Sequence, residues 1–358
     1  MRKYYTRPCN FYYGSYARKL ISKKKALPLA GSLKIAFDKL EIFRRKSKGL
    51  AESKFFSINE IKNLSKDKKN IINKDLKKIT SKRKSISGLK FDSPKIMGIL
   101  NITPDSFSDG GLFLKNSKAF NQAKLMIRDG ASIIDVGGES TRPNSKTINE
   151  KKEWERIKNL IIKFKKNFNK TVLSLDTRKS YVMKKGIKYG VDIINDVSGL
   201  NYDKKSFETI NENNTPFVLH HMQGTPNTMQ KNPIYNDVLL DIFDFFEKKI
   251  NACLKNKYRT NSIFLDPGIG FGKNLNHNMR IMAKISIFHS LGCPILIGTS
   301  RKRFIEHIVT NFDTSDRTGG TIASVIYGLS QGVQLFRVHN VREVNQGILV
   351  FNKILNTN

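Results

Sequence analysis

The sequence contains little of what defines a disulfide-rich, metal-cluster or membrane protein. It has three cysteines in 358 residues, and Cys9, Cys253 and Cys293 fit neither a CxxC motif nor zinc-ligand spacing. An odd number of widely separated cysteines favours reduced thiols over a disulfide framework. No apolar run is long enough to cross a bilayer, so we expect a cytoplasmic protein with no membrane partner.

Acidic residues are also scarce. The chain has 30 Asp and Glu against 64 Lys and Arg, and the net charge is +34 at pH 7. The excess is concentrated in residues 1–93, and no acid occurs before Asp38. Such an excess either covers solvated faces or attracts an anionic partner. A nucleic-acid-binding protein, whose affinity falls steeply with salt, is therefore an alternative to an enzyme.

Composition divides the chain into two parts. We interpret residues 1–93 as a basic N-terminal extension, in which short apolar runs with Pro and Gly indicate a small accessory domain. A charged helical stretch and then a Ser/Gly-containing stretch indicate a linker at its end. The boundary falls near Phe91, so residues 94–358 form the second part.

Residues 94–358 alternate short apolar runs with helical patterns. Near-continuous apolar runs are typical of strands buried on both faces, and alternation with helices favours parallel βα units. Eight such units in 265 residues predict an α/β protein with a (β/α)8 TIM barrel. A doubly wound open sheet is the alternative, but eight strands are many for it and no GxGxxG opens the first helix. The eight runs are KIMGILN, ASIIDVG, TVLSLD, VDIIND, PFVLHH, SIFLDP, PILIGTS and VQLFRVH.

Polar residues recur at the carboxyl ends of these strands, where TIM barrels build their active sites. A single acid there is often only a helix cap, but the repetition around the barrel indicates a site. The strand-end residues are Asn101, Asp135, Asp176, Asn195, His220, His221, Asp266, Ser300, Lys302, Arg337 and His339.

The loops after the first two strands differ in charge. The segment NITPDSFSDGG, residues 101–111, lies in a stretch without Lys or Arg, and Asn101 and Asp135 are natural oxygen donors to a divalent cation. The second loop carries Arg142. With Arg337 and His339 it gives three cationic donors, which is the chemistry of a diphosphate site.

Four other strand-end groups suit a heterocycle. Two carboxylates, Asp176 and Asp266, can accept from ring N–H and amino groups, while Asn195 and Lys302 can meet a carbonyl and ring nitrogens.

Nine blocks in order resemble the dihydropteroate synthase family. They are MGILNITPDSFSDGG, IIDVGGESTRP, SLDT, IINDVSG, HMQGTPNTMQ, DPGIGFGK, GTSRKRF, RTGGT and RVHNV. The resemblance covers residues 94–358 and implies a TIM barrel. It also implies a Mg²⁺-dependent transferase of folate biosynthesis, which joins hydroxymethyl-dihydropterin pyrophosphate to p-aminobenzoate and releases pyrophosphate. A pterin-binding methyltransferase domain is the nearest alternative, but it has no need of a diphosphate set.

The resemblance also implies roles for single residues. Pterin binding falls to Asp176, Asn195, Asp266 and Lys302. Diphosphate binding falls to Asn101, Arg142, Arg337 and His339, and Asn101 is the metal ligand. The catalytic candidates are Asp135, Arg142 and Lys302. One departure is Asn340, which stands where the family usually has Asp.

The second substrate needs apolar walls for its ring and donors for its carboxylate. We expect it to bind last, in competition with sulfonamides. We also expect small-molecule partners, a homodimer and no bound nucleic acid. The candidate residues for p-aminobenzoate are Phe107, Thr141, Pro143, Phe271, Ser300 and Arg303.

Overall fold

The structure, a computed structural model, describes residues 2–102, 112–140, 147–225, 228–309 and 317–357. Within these ranges no helix is both long and apolar enough to cross a membrane.

The N-terminal extension is folded around an antiparallel sheet. Its central strand pairs with the first strand along one edge, and with the second and fourth strands along the other. Leu29, Phe37 and Leu40 form part of its own apolar core with Ile72 and Ile79 of its second helix. The elements are β1 (Tyr4–Tyr13), α1 (Gly14–Ser22), β2 (Leu27–Pro28), β3 (Ile35–Arg44), β4 (Glu52–Ser57), a 3₁₀ helix (Ile58–Asn63) and α2 (Lys66–Thr80).

The rest of the chain forms the predicted barrel. Its eight parallel strands follow the order β10-β9-β8-β7-β6-β5-β12-β11, and the Leu265–Ile295 bridge joins the two ends. The TIM-barrel prediction is therefore confirmed, and each strand lies within its predicted run. The strands are β5 (Lys95–Asn101), β6 (Ile133–Gly137), β7 (Val172–Asp176), β8 (Ile193–Asp196), β9 (Phe217–His220), β10 (Ile263–Asp266), β11 (Leu296–Ile297) and β12 (Leu335–Val338).

Helices surround the barrel. The sequence pattern predicts one helix over residues 276–291. The structure interrupts it, because α8 ends at Ala283 and a 3₁₀ helix covers Ile285–Leu291. This 3₁₀ helix packs on the extension, where Ser286 Oγ donates to the Pro8 carbonyl at 3.0 Å. The helices are α3 (Leu112–Arg128), α4 (Glu150–Asn167), α5 (Ser180–Lys188), α6 (Ser206–Glu212), α7 (Val238–Lys255), α8 (Leu275–Ala283), α9 (Arg303–Ile308), α10 (Thr318–Ser330) and α11 (Val341–Asn356).

The barrel interior is layered. Because strand side chains alternate, residues two apart on one strand point the same way. The layer nearest the amino ends of the strands is apolar, and Ile86 and Leu89 pack against it from the stretch interpreted as a linker. Polar residues stand two positions further along several strands, so the apolar layer forms the floor of a polar cavity. The floor residues are Met97, Ile133, Val172, Ile193, Val218, Phe264, Leu296 and Leu335.

Ion pairs hold the extension to α7. Arg45 donates to Asp241 and Asp244 of α7, each at 2.7 Å, and Arg2 donates to Glu247 at 2.8 Å. These pairs are largely shielded from water, so the extension is attached to the barrel rather than tethered by a solvated linker. The division of the chain into domains at residues 1–93 and 94–358 stays a prediction.

Candidate active site

A buried ion-pair group lies at the carboxyl ends of β6, β7 and β12. Arg337 donates through Nε to Asp135 Oδ2 and through Nη2 to Asp176 Oδ2, both at 2.6 Å. Asn195 donates to the same Asp135 oxygen at 2.9 Å. Three predicted site residues therefore contact Asp135 or its arginine partner. Arg337 was predicted to bind the diphosphate, but two of its three guanidinium nitrogens already donate to carboxylates.

Asp176 and Asp266 in this cavity resist ionisation. Burial and the neighbouring Asp135 raise the pKa of Asp176 to about 7, although Arg337 opposes the shift. Burial raises the pKa of Asp266 to about 6 against the Gly268 N–H, which donates to Asp266 Oδ1 at 2.8 Å, and against Lys302. Both groups therefore change charge near neutral pH, which suits acceptors that meet ligand N–H groups in a water-poor cavity.

Lys302 and Phe271 form the opposite wall. The Lys302 ammonium lies 3.8 Å from the centroid of the Phe271 ring, and the His220 ring meets the same ring edge-on at 4.7 Å. Burial, with the Arg337 guanidinium nearby, lowers the pKa of Lys302 to about 7. Asp266 and Asp176 oppose this decrease, so the ammonium faces both predicted pterin acids. The structure thus brings together the heterocycle set predicted from sequence.

Ser300 and His339 contact each other. Ser300 Oγ lies 3.1 Å from both the backbone nitrogen and Nδ1 of His339. Ser300 was predicted for p-aminobenzoate and His339 for the diphosphate, so the two predicted subsites adjoin at this contact. Arg303 begins α9 and is exposed. Asn340, at the unusual position, accepts from Arg301 Nε at 3.0 Å.

Asn101 is the last residue of β5, where it pairs with Gly137 of β6. A Cβ added to Gly137 would lie 3.3 Å from Asn101 Oδ1 and 3.5 Å from Asp176 Cβ, so this glycine leaves room between the two side chains. The remaining predicted site residues, Phe107, Thr141, Arg142 and Pro143, lie outside the described residues.

Sequence reasoning missed the side chains that support the site. Lys273 is buried, and its Nζ lies 3.0 Å from His221 Nδ1. A lysine that closes a Gly-rich strand-end loop was the available signal.

A second support holds the residues that follow Asp176. Lys179 donates to Glu153 at 2.6 Å and to Glu139 at 2.9 Å, while Thr177 donates to Glu153 at 2.6 Å. These charged residues come from segments far apart in sequence, so no motif spacing predicts their ion pairs. Together they fix the turn on which Asp176 lies.

The described part of the site can bind a flat, hydrogen-bonding ring and an anion beside it. Two carboxyls accept, Asn195 can accept or donate, and Lys302 and His339 face them with donors. The apolar floor limits how deep a ligand can lie, and Phe271 supplies a wall for stacking or edge contact.

Comparison with known proteins agrees with this geometry. The family model described as pterin binding enzyme matches residues 97–339. The curated dihydropteroate synthase of Escherichia coli K12 is 39% identical over 269 residues, which are 75% of this chain and 94% of that protein. The structure is also similar to Yersinia pestis dihydropteroate synthase in complex with a sulfonamide drug. There the TM-score is 0.70, the identity is 36%, and the match covers 75% of this chain and 97% of the other.

A second similar structure is that of Xanthomonas albilineans dihydropteroate synthase with 4-aminobenzoic acid. Its TM-score is 0.70 at 31% identity, and the match covers 76% of this chain and 97% of the other. The fold and the site thus define a pterin-binding TIM-barrel enzyme. More narrowly, the chain belongs to the dihydropteroate synthase family, whose members are transferases of folate biosynthesis.

Proposed function

We propose that this chain condenses hydroxymethyl-dihydropterin pyrophosphate with p-aminobenzoate to give dihydropteroate and pyrophosphate. The observation that carries the proposal is the set Asp176, Asn195, Asp266 and Lys302 above an apolar floor, in which the two acids and the amide are buried and the lysine is partly buried. Such a set is costly to bury unless a ligand uses its hydrogen-bonding groups. A pterin ring offers the matching N–H, amino and carbonyl groups.

Mg²⁺ fits the oxygen donors of the described residues. Asp135 Oδ1 is buried and has no hydrogen-bond partner within the part of the chain that the structure describes. Asn101 Oδ1 lies on the neighbouring strand at the same mouth. Two protein oxygens suit Mg²⁺, which keeps several waters and takes substrate phosphates. When bound, the ion stabilises the negative charge that develops on the leaving diphosphate.

The residues of the chain then divide the work of the reaction. Asp176 and Asp266 accept from the pterin and stabilise positive charge on it as the bond from the methylene carbon to the diphosphate oxygen breaks. That electron pair leaves with the diphosphate, beside the donors of His339 and Arg337. The neutral aniline nitrogen of p-aminobenzoate attacks the methylene carbon and then releases its proton to water. Preorganised charges of this kind supply the largest part of the rate in many enzymes.

Ser300, Phe271 and Arg303 are the described candidates for the p-aminobenzoate subsite. Phe271 also contacts Lys302, so its ring borders the pterin subsite as well. Ser300 contacts His339, so an amine held near Ser300 lies next to the leaving group. The carboxylate of p-aminobenzoate is then free to meet the exposed Arg303.

A single assay tests the proposal. Purified protein is incubated with hydroxymethyl-dihydropterin pyrophosphate, p-aminobenzoate and Mg²⁺, and dihydropteroate is measured by chromatography. We expect product, inhibition by a sulfonamide that competes with p-aminobenzoate, and no competition with the pterin substrate. Lack of product from folded protein with Mg²⁺ present contradicts the proposal.

We also propose a cytoplasmic homodimer. The three cysteines are all free thiols, which suits a reducing compartment. Leu349, Val350 and Ile354 of α11, with Tyr327 of α10, are exposed apolar side chains on neighbouring helices. A second copy can bury this face. Sedimentation of the wild type should show a dimer, and Leu349→Lys with Ile354→Glu should give a monomer; a monomeric wild type contradicts this part.

A further inference from the structure

The loop after β10 wraps closely around the end of β9. It runs from Asp266 to Lys273, and Gly268, Gly270 and Gly272 all have positive φ. A Cβ on Gly268 would lie 2.0 Å from the His221 carbonyl oxygen, and one on Gly272 would lie 2.6 Å from the Gln223 carbonyl oxygen. Only glycine permits so close an approach. The loop therefore has one packed position against β9.

Lys273 fastens this loop at its end. Its Nζ donates to the Phe271 carbonyl at 2.8 Å and to the His221 carbonyl at 3.3 Å, and it lies 3.0 Å from His221 Nδ1. Three acceptors match the three N–H groups of an ammonium. Within the described residues no carboxylate forms an ion pair with Lys273. The buried lysine thus serves main-chain and imidazole acceptors.

The fastened segment carries the wall of the cavity. Phe271 contacts both the Lys302 ammonium and the His220 ring. Holding the Phe271 carbonyl fixes the backbone from which that ring projects. From these contacts we infer that Lys273 is a positioning residue, which acts through Phe271 to hold Lys302 and Asp266 in their pterin-binding arrangement. This inference rests on the proposed function.

The charge of Lys273 provides an independent readout. Asp266 faces Lys302, Arg337 and Lys273, and each of these cations lowers its pKa against the larger effect of burial. His220 and His221 also face Lys273, and their pKa values lie well below the ordinary range, mainly because of burial. Removal of the Lys273 charge should move the acidic limb of pterin binding to higher pH.

The test is a double-mutant cycle on the full-length protein. Lys273→Met, Phe271→Leu and the double variant are compared with the wild type by calorimetric binding of hydroxymethylpterin pyrophosphate between pH 5 and 8. We expect each single variant to raise the Kd about tenfold. The double variant should bind no more weakly than the weaker single variant, and the acidic limb should rise in Lys273→Met. Lys165→Met is the control, because Lys165 pairs with Asp192 away from the site and should change neither quantity.

Two results overturn the inference: a wild-type Kd for Lys273→Met, or losses that multiply in the double variant. If Lys273→Met does not fold, Lys273→Gln replaces it in the same cycle with the same criteria. Failure of the proposed function is seen separately, because the wild type would then make no dihydropteroate.

Discussion

At the scale of single residues, the cavity combines acids that resist ionisation with an amine that resists protonation. Asp266 has a pKa raised to about 6 and Lys302 has one lowered to about 7, both because of burial. Each is charged only on one side of its pKa. A ligand that needs both charges therefore meets them together in a narrow range of pH.

This predicts a bell-shaped pH dependence for pterin affinity. As the pH falls through about 7 and then about 6, Asp176 and then Asp266 gain a proton and stop accepting; as it rises through about 7, Lys302 loses its charge. Affinity should be highest near pH 7. Calorimetry from pH 5 to 9 measures it. Burial lowers the pKa of Lys273 to about 7 as well, so Lys302→Met should reduce the basic limb and leave the part that belongs to Lys273. A flat profile contradicts the assignment of these groups.

Asp266→Asn should separate binding from stability. The variant should lose about a hundredfold in pterin affinity, because an amide NH2 then faces a ligand donor. A carboxyl whose pKa is raised in the folded state destabilises that state above its folded pKa, so the variant should gain about 1–3 kcal/mol of unfolding free energy at pH 8. The gain should disappear as the pH falls from 6 to 4. Denaturant unfolding at pH 8 and pH 4 checks this.

The residue scale also shows what sequence can predict. Residues at the ends of parallel strands must share one mouth, so Asp176, Asn195 and Asp266 follow from strand order alone. The ion pairs of Arg337 with Asp135 and Asp176 cannot be predicted from strand order. The alternation of side chains along a strand shows which face a residue lies on, but it does not show which rotamer the side chain adopts. The contacts of Lys273 could not be predicted for the same reason.

At the scale of elements, the β10–α8 loop is a tightly restricted connection. Its glycines are required by close backbone approach and by positive φ, and sequence alone shows only that they are many. The 3₁₀ helix after α8 is similar: its apolar pattern predicts continuation of the helix, whereas packing on β1 breaks it.

Gly268→Ala tests the loop. The added methyl would meet the His221 carbonyl oxygen at 2.0 Å and would force alanine to φ +68°, so the loop must move. We expect at least about a tenfold loss in pterin affinity and about 2 kcal/mol lower stability. Gly319→Ala is the matched control, since nothing lies within 4 Å of its added Cβ. Equal behaviour of the two variants contradicts the prediction.

At the scale of the whole molecule, the extension contributes to the barrel. Ile86 and Leu89 pack on the floor residues, and the ion pairs of Arg2 and Arg45 hold α7. From the sequence, these residues could only be assigned to a basic extension. The density of charge does not show which side chains are buried or which distant residues they contact. The eight βα units could be predicted because each is local and repeated, whereas the attachment of the extension depends on pairs far apart in sequence.

Two truncations test this contribution. A chain that starts at Lys82 keeps Ile86 and Leu89, and one that starts at Phe91 loses them. Burial of two such side chains stabilises by about 3–6 kcal/mol, so the shorter chain should unfold at clearly lower denaturant. Activity per folded molecule should persist in the longer one, because the predicted site residues lie beyond residue 93. Equal stability of the two chains excludes a role for the two side chains.

The attachment of the extension to α7 has a consequence in time. Asp241, which pairs with Arg45, is synthesised 196 residues after it, and Glu247, which pairs with Arg2, is synthesised 245 residues after it. At about 5–20 residues per second, synthesis needs on the order of 10–50 seconds to supply those acids. During that interval the first sheet leaves the ribosome with its barrel-facing surface uncovered and Arg45 without its acidic partners, whereas Arg2 can already pair with Asp75 inside the extension. Chaperone binding to nascent chains should therefore begin early and end only after α7 and the following 3₁₀ helix have emerged.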